Sequence, residues 1–381
     1  MEIMKRKITL LLTVACVGLH FDIAQAALRY AGEYVIETGQ KNNGIEPYGL
    51  SAISWDKNNN LYYAINDSRN NDKEGEASLY KISMTLSEKG ITNVKFLEQR
   101  PLLDNAGQHF AKETVDGEGL ALTPDGRSLL WSSELGAPLR LSDKNGILKK
   151  EFTSLFPAHF NVAGDKKSPT GVRSNLSWES VTFVPNGQAV FLAVEGSLKQ
   201  DGPLAGPLNS GTSRIIKFST DPSGQPLKRL NEYVYITDPV PKVTEFGIND
   251  NGVSDMLALN DRQLLVIERS GRNVSAGFND WEFDVRVYIA DTSSASDISR
   301  IESLRDYQDK SKIQPVAKKL MINFSDYVNQ PDCIEGMTFG PDINGHKTLI
   351  FVTDNNQQPY QKTKFYLFID ADNELDRLMK K

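Results

Sequence analysis

The stretch GEGLALTPDGRSLLWSSE, residues 117–134, contains the pattern from which the fold can be inferred. Two short apolar runs flank a Pro-Asp-Gly turn, which is the pattern of a β-hairpin. Glu118 stands at the start of the first run and Glu134 follows the second. Because the start of one antiparallel strand lies beside the end of the next, the stretch predicts two strands with carboxylates at the same end.

The same pattern occurs five times along the chain. Each copy has an apolar strand, a turn, a second apolar strand and then an acidic residue; the copies occupy residues 51–67, 118–134, 179–195, 255–268 and 335–354. Further apolar runs follow several copies, which suits a four-stranded blade with long outer loops. The sequence therefore predicts an all-β fold, a single β-propeller of five or six four-stranded blades. Residues 28–37 are expected to close the ring against the C-terminal strands.

The N-terminus has the features of a secretory signal peptide. A basic segment at residues 5–7 precedes an apolar stretch at residues 8–19, and Ala24-Gln25-Ala26 matches the small-x-small cleavage pattern. We therefore expect a signal peptide at 1–26, one propeller domain at 27–381, and a periplasmic or secreted protein. A lipid anchor at Cys16 is the alternative, because residues 13–16 faintly resemble a lipobox.

Composition excludes several classes of protein. The chain has 43 basic and 49 acidic residues and a net charge of −6, whereas a nucleic-acid binder would show a strongly basic patch. The only long apolar run is N-terminal and shorter than the roughly 20 residues that cross a bilayer. We therefore expect no nucleic-acid partner and no membrane span, and we expect a monomer.

The repeats bring acidic residues to one end of their hairpins. If the hairpins are the inner strands of successive blades, nine carboxylates meet at one mouth of the central channel: Asp67, Glu118, Glu134, Glu179, Glu195, Asp255, Glu268, Glu335 and Asp354. Such oxygen-rich clusters suit Ca²⁺, which takes six to eight oxygen ligands, and these nine residues are the candidate metal ligands. Zinc is disfavoured because His109, His159 and His346 have no metal-binding spacing. The alternative is structural: the acids cap strand ends and pair with arginines.

Short motifs within the repeats resemble a known family. They are Gly49-Leu50-Ser51-Ala52-Ile53, Glu118-Gly119-Leu120-Ala121 with Pro124-Asp125-Gly126, Gly252-Val253-Ser254-Asp255-Met256 with Ile267-Glu268-Arg269-Ser270, and Glu335-Gly336-Met337-Thr338-Phe339. In this order they resemble the phytase-like family, also called "esterase-like activity of phytase", over nearly the whole chain after residue 48. The copy at residues 179–181 departs slightly, with Glu-Ser-Val where Glu-Gly-Leu is usual.

The resemblance implies hydrolysis of phosphoric or carboxylic esters, with a small-molecule ester or phosphate as the substrate. Bacterial β-propeller phytases are six-bladed and use Ca²⁺ to bind phosphate and activate water, so a similar metal-dependent reaction is expected here. The candidate catalytic residues are Glu118, Glu179, Asp255 and Glu335. Arg69, Arg269 and Arg272 lie just past acidic positions and are the candidate substrate-binding residues, with salt bridges as their alternative role. Two other functions stay open: a non-enzymatic binding propeller and a Ca²⁺-dependent lactonase.

Overall fold

The structure is a computed structural model that describes residues 28–161, 167–247, 249–277 and 280–380. The predicted signal peptide, including Cys16, lies outside the described residues. No helix in the part of the chain that the structure describes is long and apolar enough to cross a membrane.

The described strands form five antiparallel sheets of four strands each. Blade 1 contains β2 (Leu50–Asp56), β3 (Leu61–Asn66), β4 (Ser78–Ser87) and β5 (Gly90–Pro101). Blade 2 contains β6 (Gly117–Leu122), β7 (Ser128–Ser133), β8 (Leu139–Asp143) and β9 (Leu148–Glu151). Blade 3 contains β10 (Trp178–Phe183), β11 (Ala189–Val194), β12 (Gly211–Thr220) and β13 (Pro226–Thr237).

The chain continues with blade 4, and blade 5 joins its two ends. Blade 4 contains β14 (Gly252–Ala258), β15 (Gln263–Asn273), β16 (Trp281–Asp291) and β17 (Ala317–Asn323). Blade 5 contains β18 (Cys333–Ile343), β19 (His346–Asp354), β20 (Lys362–Ile369) and, from the N-terminal side, β1 (Arg29–Glu37). Among the described residues, helix is limited to α1 (Glu374–Met379) and 3₁₀ turns at Thr153–Leu155, Ala158–Phe160, Lys310–Lys312 and Phe324–Asp326.

The predicted propeller is confirmed, and it has five blades. β1 pairs with β20 from Arg29 opposite Ile369 to Glu37 opposite Lys362, so the N-terminal strand closes the ring as predicted. The sequence left a sixth blade open because the closing strand could have belonged to an extra sheet. It instead completes the fifth repeat.

The core lies between the sheets. The central strand β11 is buried along its whole length, because neighbouring blades cover both of its faces. Trp131 and Trp178 are fully buried within the packing of blades 1 to 3. In the turn between β6 and β7, Gly126 adopts a φ of 70°, and the Asp125 carboxylate accepts a hydrogen bond from the Arg127 N–H.

Each inner strand contains a β-bulge near its start. The register of β2, β6, β10, β14 and β18 against the next strand shifts by one residue at this point. The bulged residues, in blade order, are Ser51, Glu118, Glu179, Ser254 and Glu335. Bulges re-aim side chains at the ends of strands and are common beside functional sites. This shared irregularity therefore determines which side chains reach the channel.

Candidate functional site

A polar cavity of about 450 Å³ occupies one mouth of the central channel. The acidic residues that line it are Asp67, Glu74, Glu118, Glu134, Glu179, Glu195, Asp250, Glu335 and Asp354. The basic residues that line it are Arg69, Lys73 and Arg269. Seven of the nine predicted carboxylates thus meet at this mouth.

Two structurally equivalent positions supply those seven carboxylates. The bulge position carries Glu118, Glu179 and Glu335. The other position is at the end of the second strand, where the residue is either the last of the strand or the one that follows it. This residue lies opposite the residue two before the bulge. The position carries Asp67, Glu134, Glu195 and Asp354. The bulge turns the side chains of Glu118, Glu179 and Glu335 towards those of the second position. Residues that are not paired directly across the two strands therefore lie at the same mouth. We call these seven residues the acidic ring.

Blade 4 departs from this pattern. Its bulge residue is Ser254, and Gly252 pairs with Arg269, which places an arginine where the other blades have an acid. The prediction placed Asp255 and Glu268 at these two positions, and the structure places each of them one residue away. The length of the turn explains the difference. In blade 4 the N–H of Leu259 donates to the carbonyl of Gln263, four positions later. In blade 2 the N–H of Thr123 donates to the carbonyl of Ser128, five positions later.

Asp255 and Glu268 therefore make structural contacts. Asp255 lies in the central channel, where its carboxylate accepts hydrogen bonds from the Ser180 hydroxyl and from the N–H groups of Met256 and Met337. Burial raises the pKa of Asp255 to about 7 against the opposing effect of these three donors. Glu268 accepts hydrogen bonds from Tyr235, Asn251 and the backbone of Asp238, and it pairs with Lys318.

The ring carboxylates lie close enough together for several of them to bind one metal ion. Three groups have candidate ligand atoms within 4.8 Å of one another: Asp116, Glu118 and Glu134; Glu134, Glu179 and Glu195; and Cys333, Glu335 and Asp354. Glu134 belongs to two of these groups, so the first two are adjacent around the ring. A divalent cation could bridge several of these oxygens.

Several of these oxygens have no protein partner. Glu118 is 8% exposed and Glu179 is 5% exposed, yet neither carboxylate hydrogen-bonds or ion-pairs with any group in the described part of the chain. The Oδ1 atom of Asp116 is buried and unpaired, while Oδ2 accepts a hydrogen bond from Arg69. Buried charges without partners are costly, so this arrangement favours the binding of a cation from solution.

The electrostatics of the ring raise the pKa values of most of its acids. Burial and the neighbouring Glu335 and Glu74 raise the pKa of Asp67 to about 7. Burial is also the largest cause for Glu118 and Glu179, whose pKa values are raised well above their usual range, with nearby carboxylates as the next cause. The acids therefore compete with one another for protons or cations.

Two of the three predicted arginines reach the cavity. Arg269 contacts Glu195 at 3.1 Å and Glu335 at 3.4 Å, and its side chain is 13% exposed. Arg69 contacts Asp116 at 2.8 Å and lies at the cavity wall. Arg272 points elsewhere and pairs with Glu282 and Asp284, so the structure supports its alternative, structural role.

Some residues of the cavity carried no signal in the repeats. Asp116 lies opposite Glu134, one position before the repeat motif that begins at Gly117. Asp250 lies in the segment before β14, and its carboxylate accepts a hydrogen bond from the N–H of Gly271. Amide and aromatic side chains from loops and from β16 complete the lining: Asn175, Asn356, Gln358, Gln361, Trp281, Phe283 and Tyr360. Loops outside the repeat have no internal copy for comparison.

The chain matches one family model and is distantly similar to several solved structures. The model of the family "Phytase-like: Esterase-like activity of phytase" matches residues 46–357. A search of the curated proteins finds no match. Among solved structures, the Pseudomonas aeruginosa periplasmic gluconolactonase is 12% identical, with a TM-score of 0.37 and coverage of 90% of this chain and 96% of that one.

Two further solved structures have similar statistics. A glycosyl hydrolase from Bacteroides ovatus is 11% identical with a TM-score of 0.40, and the match covers 89% of each chain. The N-terminal domain of Nup159 is 10% identical with a TM-score of 0.33 and coverage of 90% of this chain and 94% of that one. Similarities this distant carry no argument about what the present chain does.

Proposed function

The chain belongs to the phytase-like family, and from this premise we propose that it is a hydrolase of phosphoric or other esters that works with a divalent cation in the acidic cavity. One observation supports the proposal above the others. Two buried carboxylates, Glu118 and Glu179, face the cavity without a protein partner, in the middle of a ring that has few positive charges. Such a site is suited to a cation and to the chemistry that a cation assists.

The donor set fits a cation that prefers oxygen ligands. Carboxylates make up the groups around Glu118 and Glu179, and no histidine lines the cavity among the described residues. We propose Ca²⁺ as the ion, with Asp116, Glu118, Glu134, Glu179 and Glu195 as the residues that would hold it. Glu335, Asp354 and Asp67 would complete the site on the other side of the ring. Asp255 and Glu268 are not part of this proposal, because their oxygens already have protein donors.

The cation would offset carboxylate repulsion, polarise an ester oxygen and lower the pKa of bound water. The protein's own residues would do the rest. Arg69 and Lys73 line one side of the cavity, where they can contact an anionic group of a substrate or product. Glu118, Glu179 and Glu335 are the candidate acid–base residues, and burial with neighbouring carboxylates raises the pKa values of Glu118 and Glu179 well above their usual range.

The proposal predicts a metal-dependent activity that single carboxamide substitutions reduce. We expect phosphate or carboxylate release from a panel containing phytate, p-nitrophenyl phosphate and p-nitrophenyl acetate in Ca²⁺, and its loss in chelator. Glu118→Gln and Glu179→Gln should weaken Ca²⁺ binding by roughly tenfold to hundredfold, because each removes a charged ligand. Calorimetric titration measures the affinity, and steady-state assays measure the activity.

A matched control is Glu302→Gln, which makes the same change at an exposed residue outside the cavity. It should leave both Ca²⁺ affinity and activity unaltered. A well-folded protein that binds no divalent cation, or that is silent on the whole panel with Ca²⁺ bound, would contradict the hydrolase proposal. The second of these results would instead favour a propeller that binds a ligand without turning it over.

We also propose that the protein acts outside the cytoplasm as a single propeller, residues 27–381, after removal of residues 1–26. The support is the order of basic segment, apolar stretch and Ala-Gln-Ala in the sequence. N-terminal sequencing of protein recovered from the periplasm or the medium should begin at Ala27. A protein that retains its first residues in the cytoplasm would contradict export, and a lipid-modified Cys16 would indicate the anchored alternative.

A further inference from the structure

The wall of the cavity that blades 4 and 5 contribute differs in chemistry from the acidic ring. Trp281 and Phe283 come from β16, and Tyr360 comes from the loop between β19 and β20. Gln358 and Gln361 of the same loop also line the cavity. Aromatic rings combined with amide side chains suit a ligand that has both apolar C–H faces and hydroxyl groups.

The two rings of β16 pack over a glycine of the cavity lining. A Cβ atom at Gly271 would lie 3.4 Å from Cε1 of Phe283 and 3.6 Å from Cε3 of Trp281. Because Gly271 has no side chain, nothing from this position separates the rings from the cavity. Trp281 remains partly exposed there, so part of its ring surface is available to a ligand.

One amide of this wall lacks a hydrogen-bond partner. Gln361 is 2% exposed, and its Nε2 atom has no acceptor among the described residues. An unpaired buried donor costs free energy unless a ligand or water supplies an acceptor. Gln358 donates to the Asn356 carbonyl and Asn175 accepts from Arg69, so the Gln358 side-chain oxygen and the Asn175 side-chain nitrogen, together with the Asn356 amide, are the groups of the same cavity that can match hydroxyl groups.

The charge of the lining disfavours a highly anionic substrate. Nine acidic residues face three basic ones, and Arg269 of these three is already paired with Glu195 and Glu335. Even with one divalent cation bound in the acidic ring, a molecule with many phosphate groups would meet an excess of like charge in the cavity. A neutral molecule would not meet this repulsion and could still present one ester group to the acidic ring.

We propose that the substrate is a neutral polyhydroxylated ring, such as a sugar or cyclitol, that carries a carboxylic ester or lactone, with the ring bound against Trp281 and Tyr360. This inference rests on the proposed hydrolase function and names its substrate class. The reaction is hydrolysis of the acyl C–O bond: water adds its hydroxyl to the acyl carbon, and the alcohol oxygen leaves with the remaining proton. No oxidant or further co-substrate is needed.

Matched substrates test the class directly. We compare methyl glucoside 6-acetate with methyl glucoside 6-phosphate, which share the ring and differ in the ester, and with p-nitrophenyl acetate, which lacks the sugar ring. We expect the highest kcat/KM for the sugar acetate. Trp281→Ala should raise the KM for the sugar acetate about tenfold more than the KM for p-nitrophenyl acetate. Tyr307→Ala, a substitution of an exposed aromatic residue outside the cavity, is the control.

A binding measurement separates this inference from the hydrolase proposal. Methyl glucoside should change the tryptophan fluorescence of the protein in chelator, and Trp281→Phe should abolish the change, since Trp131 and Trp178 are fully buried and Trp55 lines the central channel outside this cavity. Binding without hydrolysis of any ester would support the ring site and contradict the hydrolase. Preferred hydrolysis of phytate or the 6-phosphate, with no fluorescence change, would overturn the ring site and support the hydrolase.

Discussion

Replacement of Arg269 by glutamine is expected to lower the free energy of unfolding by about 4 kcal/mol at pH 8 in chelator. Arg269 is the buried positive charge between Glu195 and Glu335, at 3.1 and 3.4 Å. Burial alone would lower the pKa of Arg269, but Cys333, Glu335 and Glu195 raise it well above its usual range. The substitution therefore leaves two buried carboxylates without their shared partner.

The loss in the Arg269→Gln variant should depend on pH. Carboxylates whose folded-state pKa lies above the unfolded value favour folding when protonated, so their contribution is present at low pH and is lost as pH rises. Burial raises the pKa of Glu195, and without Arg269 this pKa should rise further. The variant should thus be less destabilised at pH 5 than at pH 8.

Urea unfolding of the Arg269→Gln variant at the two pH values measures this difference, and added Ca²⁺ should restore part of the loss at pH 8. Arg100→Gln is the control, because Arg100 is 52% exposed and pairs with Glu98 at the surface. Its cost should stay within about 0.5 kcal/mol. An equal loss for Arg269→Gln at both pH values would contradict the proposed electrostatic role.

Replacement of Asp255 by alanine is expected to lower the free energy of unfolding by about 3 kcal/mol. The carboxylate joins three blades: it accepts hydrogen bonds from Ser180 of blade 3, from Met337 of blade 5 and from the following residue of its own strand. Alanine would leave the Ser180 hydroxyl and the Met337 N–H without this acceptor and would open a void in the channel, whereas the Met256 N–H would keep its bond to the Ser180 oxygen. The effect should be one on stability alone, because Asp255 lies away from the acidic ring.

Asp255→Asn tests the hydrogen bonds separately, because the amide keeps the volume and one acceptor and should cost less than alanine. Asp342→Ala is the control, since Asp342 lies near the end of β18, is 43% exposed and pairs with Lys347. Denaturant unfolding measures stability, and calorimetry should show Ca²⁺ affinity within twofold of the original protein's (about 0.4 kcal/mol). A large loss of Ca²⁺ affinity in a folded Asp255→Asn protein would show that this residue belongs to the metal site after all.

The repeat predicted the propeller and most of the acidic ring because both depend on features within a few residues of each turn. Strands, Pro-Asp-Gly or Asn-Gly turns and the acids beside them are visible in one chain. The family resemblance is confirmed by the match over residues 46–357. The number of blades was less certain, because pairing of β1 with β20 joins segments that have no local signal in common.

Blade 4 shows why the rest could not be predicted by counting from the turn. Leu257-Ala258 resembles Leu120-Ala121, which suggested that Asp255 corresponds to Glu118. The turn of blade 4 is one residue shorter, and in a strand a one-residue shift moves side chains to the opposite face. An alignment of Ser254 with Glu118, and so of Gly252 with Asp116, would have placed Arg269 at the position of Glu134. The aromatic and amide wall lay outside any repeat and needed the structure.

The closure of the ring by β1 has a consequence for the order of folding. Arg29 finds its partner Ile369 only when blade 5 is present, so β1, which comes first in chain order among the described strands, is among the last to pair. This pairing joins residues that are far apart in the sequence, so it has a high contact order. The entropy lost in closing so long a loop is offset only when the two strands pair. Until then β20 is an unpaired sheet edge that another chain could join. Passage across a membrane before folding would delay this closure for the whole chain, and a chaperone that covers sheet edges would protect it during that interval.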